Sequence, residues 1–470
     1  MSEPFDFDLV CIGSGPAGQR AAVQAAKVGR QVAVIEKKHY VGGSCIDTGT
    51  IPSKTFREAV LSYASQVSPF TAGRTHRTAI QGTNQTLAEQ LLNDVNTVVR
   101  RDIDVVTDQL RRNGIELIQG EAVFMDSHTI VVRREASCRT LTAENILIAV
   151  GTVPAPPPGV SVDGETILTS DEIIQLKRLP RIMTVVGGGI IGLEYASMFA
   201  ALEIEVTLVD KREHLLEFLD QEIVEELMHQ MRARNVTFRL GEAVERLEIV
   251  DGPMKRARIH LESGKRIMTD MVLFSAGRIG ATAHLNLEAA GLKADDRGRL
   301  TVNEQFRTQV PHIFAAGDVI GYPSLASSSA WQGRQAASYA FGVDTGLGSA
   351  YLPIGIYAIP EMAMVGALEH ELTRKKIPYE TGVARYREIA RGQILGDDSG
   401  LLKLLFHRDD RRLLGVHVIG TGATELIHIG QAVLELGSGL DYFLRTVFNY
   451  PTLAECYKVA ALDAYNKLSL

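Results

Sequence analysis

Two glycine-rich runs are the first places where this sequence could do chemistry. Gly13-Ser14-Gly15-Pro16-Ala17-Gly18 follows an apolar, strand-like run at 9–12 and opens an alanine-rich helical stretch. Gly187-Gly188-Gly189-Ile190-Ile191-Gly192 stands in the same setting inside RIMTVVGGGIIGLEYASMFAALEIEVTLVDKR. In each run the first glycine (Gly13, Gly187) permits a tight turn. The second (Gly15, Gly189) admits a pyrophosphate to the backbone, and the third (Gly18, Gly192) lets helix and strand pack closely. The helix start offers unpaired amides and the positive end of its dipole to phosphate oxygens. Each unit closes its next strand on an acid, Glu36 or Asp210, at the same offset from its first glycine. A carboxylate there can accept hydrogen bonds from ribose hydroxyls. A lone GxGxxG would be weak evidence, but two full strand–turn–helix–strand–acid units imply two dinucleotides.

The residues at and after position 210 bear on which dinucleotide the second unit takes. An aspartate alone favours NAD, because it repels the 2′-phosphate of NADP. Lys211 and Arg212 come next. Either could supply a cation to that phosphate, or the two could simply form a solvated helix start.

The elements that must position these groups can be read along the chain. Leu87, Leu91, Val95, Val98, Ile103, Val106 and Leu110 recur at helical spacing and predict one long amphipathic helix beside the first sheet, ended by Gly114. ENILIAVGTVPAPPPG, MVLFSAGR and PHIFAAGDV each read as a buried strand running into a turn. The simplest topology inserts the second mononucleotide unit into the first. Beyond residue 351, strand-like runs at 401–406 and 413–419 flank a charged turn, and helices are expected at 424–437 and 452–468. The expected fold is therefore α/β, two Rossmann-like dinucleotide-binding domains with a C-terminal α+β domain that fits either a separate cap or a dimerisation domain. Its expected divisions are 1–150 and 281–348 for the first unit, 151–280 for the second and 349–470 for the third.

Composition narrows the class. The chain has 470 residues, 45% hydrophobic and 22% charged, enough for about three domains. A net charge of −7 argues against nucleic acid as a partner. The four cysteines, Cys11, Cys45, Cys138 and Cys456, are too few and too dispersed for a disulfide framework or a zinc site, so no metal is expected. No secretory signal is visible, and the most apolar stretch, 183–200, carries glycines and Glu194. No membrane association and a cytoplasmic location are therefore expected. His312, His407, His417 and His428 form no cluster and are expected to be structural or exposed, and Trp331 is expected in core packing.

The run Gly42-Gly43-Ser44-Cys45-Ile46-Asp47-Thr48-Gly49-Thr50-Ile51-Pro52-Ser53-Lys54 resembles the active-site helix start of the FAD-dependent pyridine nucleotide–disulfide oxidoreductases. The two glycine fingerprints, Ala315-Ala316-Gly317-Asp318 and Pro451-Thr452-Leu453-Ala454-Glu455 fall in that family's order, so the resemblance covers nearly the whole chain. It implies FAD on the first fingerprint, NAD(H) and NADP(H) on the second, and Asp318 on the ribityl chain. It also implies Lys54 paired with Glu194 beside the flavin N5, Arg278 near the nicotinamide, and a homodimer at least, with higher homo-oligomers open.

Two departures from the family pattern change the expected reaction. The family's disulfide reductases carry CxxxxC, and here the second position is Thr50, which can form neither a disulfide nor a flavin adduct. They also place a histidine directly before the C-terminal proline, and here that position is Tyr450 while its glutamate remains as Glu455. Cys45 becomes a buried spectator. Electrons on the flavin must then leave to a group that reaches the ring directly, and a second nicotinamide already fits there. The GTIPSK and NYPT segments resemble the family's transhydrogenases. The expected activity is ping-pong hydride transfer from NADPH through flavin to NAD⁺, both cofactors using one pocket. The nearest alternative is an NAD(P)H oxidase; a dihydrolipoamide dehydrogenase or a non-catalytic flavoprotein redox sensor fits less well.

Overall fold

The computed structural model describes residues 5–67, 84–134, 137–344, 346, 348 and 351–468. The first sheet is built on five parallel strands in the order Glu116–Gln119, Val32–Glu36, Phe7–Ile12, 143–148 and Ile313–Ala315. These runs are apolar almost throughout because both faces of the sheet are covered. The strand Ser137–Ile148 belongs to two pairings: its first half runs antiparallel to Thr129–Arg134, its second half parallel to Phe7–Ile12. Glu121–Phe124 closes that edge.

The second sheet runs Val236–Leu240, Glu205–Asp210, Ile182–Val186, Met271–Phe274, Ile167–Thr169, all parallel. A small antiparallel sheet of Val244–Val250, Arg256–Leu261 and Arg266–Thr269 packs on one face. The second unit thus lies in sequence between two strands of the first. Where the chain crosses over and comes back, Thr152–Pro154 pairs antiparallel with Arg278–Gly280. The C-terminal sheet is antiparallel, in the order Ile354–Ile356, Met362–Gly366, Leu413–Ile419, Leu401–His407, Tyr379–Arg385, with helices Ala423–Glu435 and Glu455–Leu468 packed on it.

Several expectations need correction. The long helix exists as Asn84–Arg112, ended past its last turn by Gly114 at φ +68°. Its first half packs on helix Thr50–Val67 and the second unit's core rather than on the first sheet, and its second half reaches the first unit's core through Val99, Ile103, Val106 and Leu110. Val98 faces solvent, and Val99 packs instead. No helix starts at Lys211; the next one is Gln221–Ala233, capped by Asp220. Trp331 is 38% exposed and packs edge-on against Phe306, outside the core. The histidines need no correction: His417 is buried and bonded to the Ala367 carbonyl, and His312 stacks on His128, both structural places. Among the described residues no helix is long and apolar enough to cross a membrane, and no group of three or more His, Cys, Asp or Glu could hold a metal ion.

Candidate active site

The two fingerprints fold alike. Gly13 and Gly187 both take φ +105°, a conformation that side chains rarely adopt. A Cβ on Gly18 would stand 1.9 Å from the Gly13 carbonyl oxygen, and one on Gly192 1.9 Å from that of Gly187. The outer glycines are therefore demanded by the fold itself. The middle ones are not: Gly15 (φ −65°) and Gly189 (φ −76°) have ordinary backbones, and a Cβ on either would meet nothing within 4 Å. Each caps the start of a helix, Pro16–Lys27 or Ile190–Ala201, that has no side-chain cap. Open space at uncapped helix N-termini fits a pyrophosphate at each place.

The acids Glu36 and Asp210 end the strands that follow the two helices, and both are already partly engaged. Glu36 Oε2 accepts from Ser14 N–H (3.1 Å) and Ser14 Oγ (2.5 Å), and Oε1 accepts from Lys38 N–H (2.9 Å). Asp210 Oδ2 accepts from Gly188 N–H at 2.6 Å, so each acid also ties down its own glycine turn. Arg212 folds back on Asp210 as a fork, Nε to Oδ1 at 2.9 Å and Nη2 to Oδ2 at 2.7 Å. Burial alone would raise the Asp210 carboxyl, but the Arg212 contacts and the Gly188 N–H together outweigh it and hold the group below the usual carboxylate range. Arg212 is thus not a free cation, whereas Lys211 is exposed to solvent beside it.

At the start of helix Thr50–Val67, the Thr50 side chain neighbours the Cys45 thiol. Burial pushes the Cys45 thiol above its ordinary value, and the Thr50 hydroxyl offsets this only in part. A protonated thiol is a poor nucleophile. All four cysteines are free. Cys45 is half-buried rather than buried, which corrects the expectation.

One turn further on, Lys54 Nζ lies 2.7 Å from Glu194 Oε2, across the gap between the two nucleotide-binding units. The Glu194 side chain is 3% exposed and that of Lys54 25%. Asp318, at the turn after Ile313–Ala315, is mostly buried, and burial raises its pKa against the opposing Arg278 charge and the Ser329 hydroxyl. Arg278 donates to Thr152 Oγ1 and O, Ser170 Oγ and Asp171 Oδ1. It locks the crossover where the chain passes between the first two units.

Tyr450 and Glu455 stand apart. Both lie in the C-terminal unit, Tyr450 67% exposed and Glu455 in the first turn of its helix with Oε2 buried and unpartnered. Among the described residues no hydrogen bond or ion pair links either to Thr50, Lys54 or Glu194 of the same chain. The motifs gave no sign of Ser14 on Glu36, of Arg57, or of Tyr357, whose backbone N–H donates to Glu194 Oε1 at 2.8 Å. Only the Pro360 break marks that last segment as a loop.

The model of the family described as pyridine nucleotide-disulphide oxidoreductase matches residues 7–333, and that of its dimerisation domain matches 352–461. The chain belongs to this family. Within it, the chain is 50% identical over 467 residues to a soluble pyridine nucleotide transhydrogenase of Mycobacterium bovis, covering 98% of each. It is 42% identical over 475 residues to one of Colwellia psychrerythraea, covering 100% of each. Among solved structures, this family member is similar to LpdA from Mycobacterium tuberculosis, at a TM-score of 0.87 and 26% identity, covering 97% of this chain and 99% of that one. It is also similar to a HOCl-induced flavoprotein disulfide reductase from Escherichia coli, at a TM-score of 0.84 and 26% identity over the same shares.

Proposed function

We propose that this chain is an FAD-dependent transhydrogenase that moves hydride from NADPH to NAD⁺, releasing NADP⁺ and NADH, with no redox disulfide. The observation that carries the reading is Thr50, a hydroxyl beside the free Cys45 where a second thiol would be needed, next to an intact Lys54–Glu194 pair and two complete nucleotide cradles. FAD, one per subunit, supplies a two-electron group that takes up and gives back hydride. The chain's own residues bind and orient. Gly13, Gly15, Gly18, Glu36 and Asp318 hold FAD in a unit made of 1–150 and 281–348. Gly187, Gly189, Gly192, Asp210, Lys211 and Arg212 hold either nicotinamide dinucleotide in 151–280. Lys54, fixed by Glu194, presents a positive charge at the flavin N5 side.

The Asp210–Arg212 fork suits a pocket that must take both cofactors. With NAD(H) the carboxylate is available to ribose hydroxyls; with NADP(H) the guanidinium turns from Asp210 to the 2′-phosphate, and Lys211 adds a second cation. Residues 349–470 join two copies into a homodimer, and the reading places the enzyme in the cytoplasm.

The deciding experiment monitors NADPH oxidation by the FAD-loaded protein without oxygen. Transhydrogenation requires that turnover depend on added NAD⁺ or its thionicotinamide analogue, with parallel double-reciprocal plots for the two substrates. Turnover that needs oxygen and ignores NAD⁺ would make the protein an oxidase. A lipoamide-dependent rate would restore a dithiol reading.

A further inference from the structure

Residues 357–359 join strand Ile354–Ile356 to strand Met362–Gly366 without being a strand themselves, so their backbone polar groups lack sheet partners. Buried groups of that kind must be satisfied elsewhere. Here side chains of the two nucleotide-binding units satisfy four of them. Tyr357 N–H donates to Glu194 Oε1 at 2.8 Å, and Ala358 O accepts from Arg57 Nε at 3.0 Å. Ile359 N–H donates to Ser197 Oγ at 2.9 Å, and Ile359 O accepts from Arg234 Nη1 at 2.9 Å. Glu194 and Ser197 are three apart on helix Ile190–Ala201, and Lys54 and Arg57 are three apart on helix Thr50–Val67, so each pair shares a helix face. The C-terminal segment is a strap laid between those two faces.

The strap ends on the charged pair of the site. Both Glu194 oxygens are taken, Oε2 by Lys54 Nζ and Oε1 by Tyr357 N–H. Without the second contact, a nearly buried carboxylate would be left half-partnered, its orientation toward Lys54 fixed by one oxygen only. The Tyr357 ring lies under the lysine, its centroid 5.0 Å from Nζ, within cation–π range. Ser53 Oγ, 3.3 Å from Nζ, completes the polar surroundings of the ammonium.

We propose that Tyr357 is a positioning residue for Lys54. Its N–H locks the Glu194 carboxylate, its ring holds the ammonium, and the C-terminal unit thereby sets the charge presented to bound flavin. This rests on the proposed placing of Lys54 beside the flavin. Strap contacts that served only as glue between units would affect stability and leave the electronic properties of the cofactor alone. A positioning role alters them, because the energy of a cation and a nearby charge depends directly on their separation.

The test is the midpoint potential of FAD bound to the full-length protein, read by dye equilibration without oxygen and without nicotinamide, alongside the melting temperature. Tyr357→Leu, which removes the ring, is expected to shift the oxidised-to-reduced equilibrium about tenfold toward oxidised flavin, a fall of about 30 mV for a two-electron couple. Tyr357→Phe, which keeps ring and N–H, is expected to restore the wild-type value. Lys54→Met should lower the potential at least as far. The proposal is overturned if Tyr357→Leu keeps the wild-type potential while Lys54→Met lowers it. An unshifted Lys54→Met overturns the placing of Lys54, and this inference with it. Should Tyr357→Leu fail to fold or to hold FAD, Ser197→Ala loosens the strap at Ile359 and keeps Tyr357. It is expected to give a smaller fall of the same sign, and no fall at all overturns the proposal.

Discussion

Thr50 carries the largest chemical consequence of any single residue in this protein. It sets a hydroxyl beside Cys45 where dithiol chemistry would need a second sulfur. Thr50→Cys should let the two positions oxidise: a thiol titration would then lose two groups on oxidation, while the wild-type protein loses none. Disulfide reductase turnover should still be absent, since Tyr450 cannot serve as the base. Lys54→Met, by removing the charge beside Glu194, should slow hydride transfer by roughly 10²-fold in stopped-flow reduction by NADPH, the scale of losing one preorganised electrostatic contact. At Asp210 the carboxyl is held below its ordinary value, so the stabilisation its fork with Arg212 gives is present above the unfolded aspartate pKa of about 3.9 and is lost as pH falls through the lower folded value. Arg212→Ala should raise the KM for NADPH by at least about tenfold, the scale of a charge-assisted hydrogen bond, and change that for NADH far less.

The glycine turns make opposite demands on one short element. Gly15→Ala and Gly189→Ala put a methyl into open space on an ordinary backbone, so the melting temperature should hold while FAD or nucleotide affinity falls. Gly192→Ala meets a carbonyl oxygen at 1.9 Å and should lower stability outright. Denaturation and ligand titration on the same variants separate the two effects. These turns were legible from spacing alone because identical offsets fold to identical dihedrals. The Arg212 fork was not, because the same two bases could have opened a helix. The chain instead continues in bends, and only their path shows that the guanidinium returns to Asp210. Val98 fails for a related reason: helical periodicity places it on the apolar stripe, but the stripe turns from one core to another along the helix's 29 residues.

Across the whole molecule, the second nucleotide-binding unit is tied to the C-terminal unit by the strap and by a buried lysine. Lys403, on the Leu401–His407 strand, pairs with Asp220 at 3.1 Å, Glu222 at 3.0 Å and Glu369. Lys403 and Asp220 are both nearly buried, so Lys403→Met leaves a carboxylate without its partner and should cost about 3–5 kcal/mol in denaturant unfolding. His417 lies beside this cluster, fully buried, its pKa pushed down chiefly by burial. A histidine lowered in the folded state binds its proton mainly when unfolded. Stability should therefore be complete above about pH 6.5 and decline as pH falls below it, and His417→Gln should flatten that decline. The C-terminal unit also exposes Val447 (93%) and Tyr450. If these lie in the contact of a homodimer, Val447→Asp with Tyr450→Asp should shift sedimentation toward the monomer.

The sequence by itself determined the repeated nucleotide units, the inserted topology and the missing dithiol, because each is written in residue type and local spacing: a turn that only glycine can make, a position where sulfur is absent. Tertiary structure alone decided what meets across large sequence distances. Lys54 reaches Glu194 140 residues away, and Tyr357 reaches Glu194 across 163 more. No local pattern encodes such contacts, since they arise only when three separately folded units bury their polar groups against one another and each group must find its partner there.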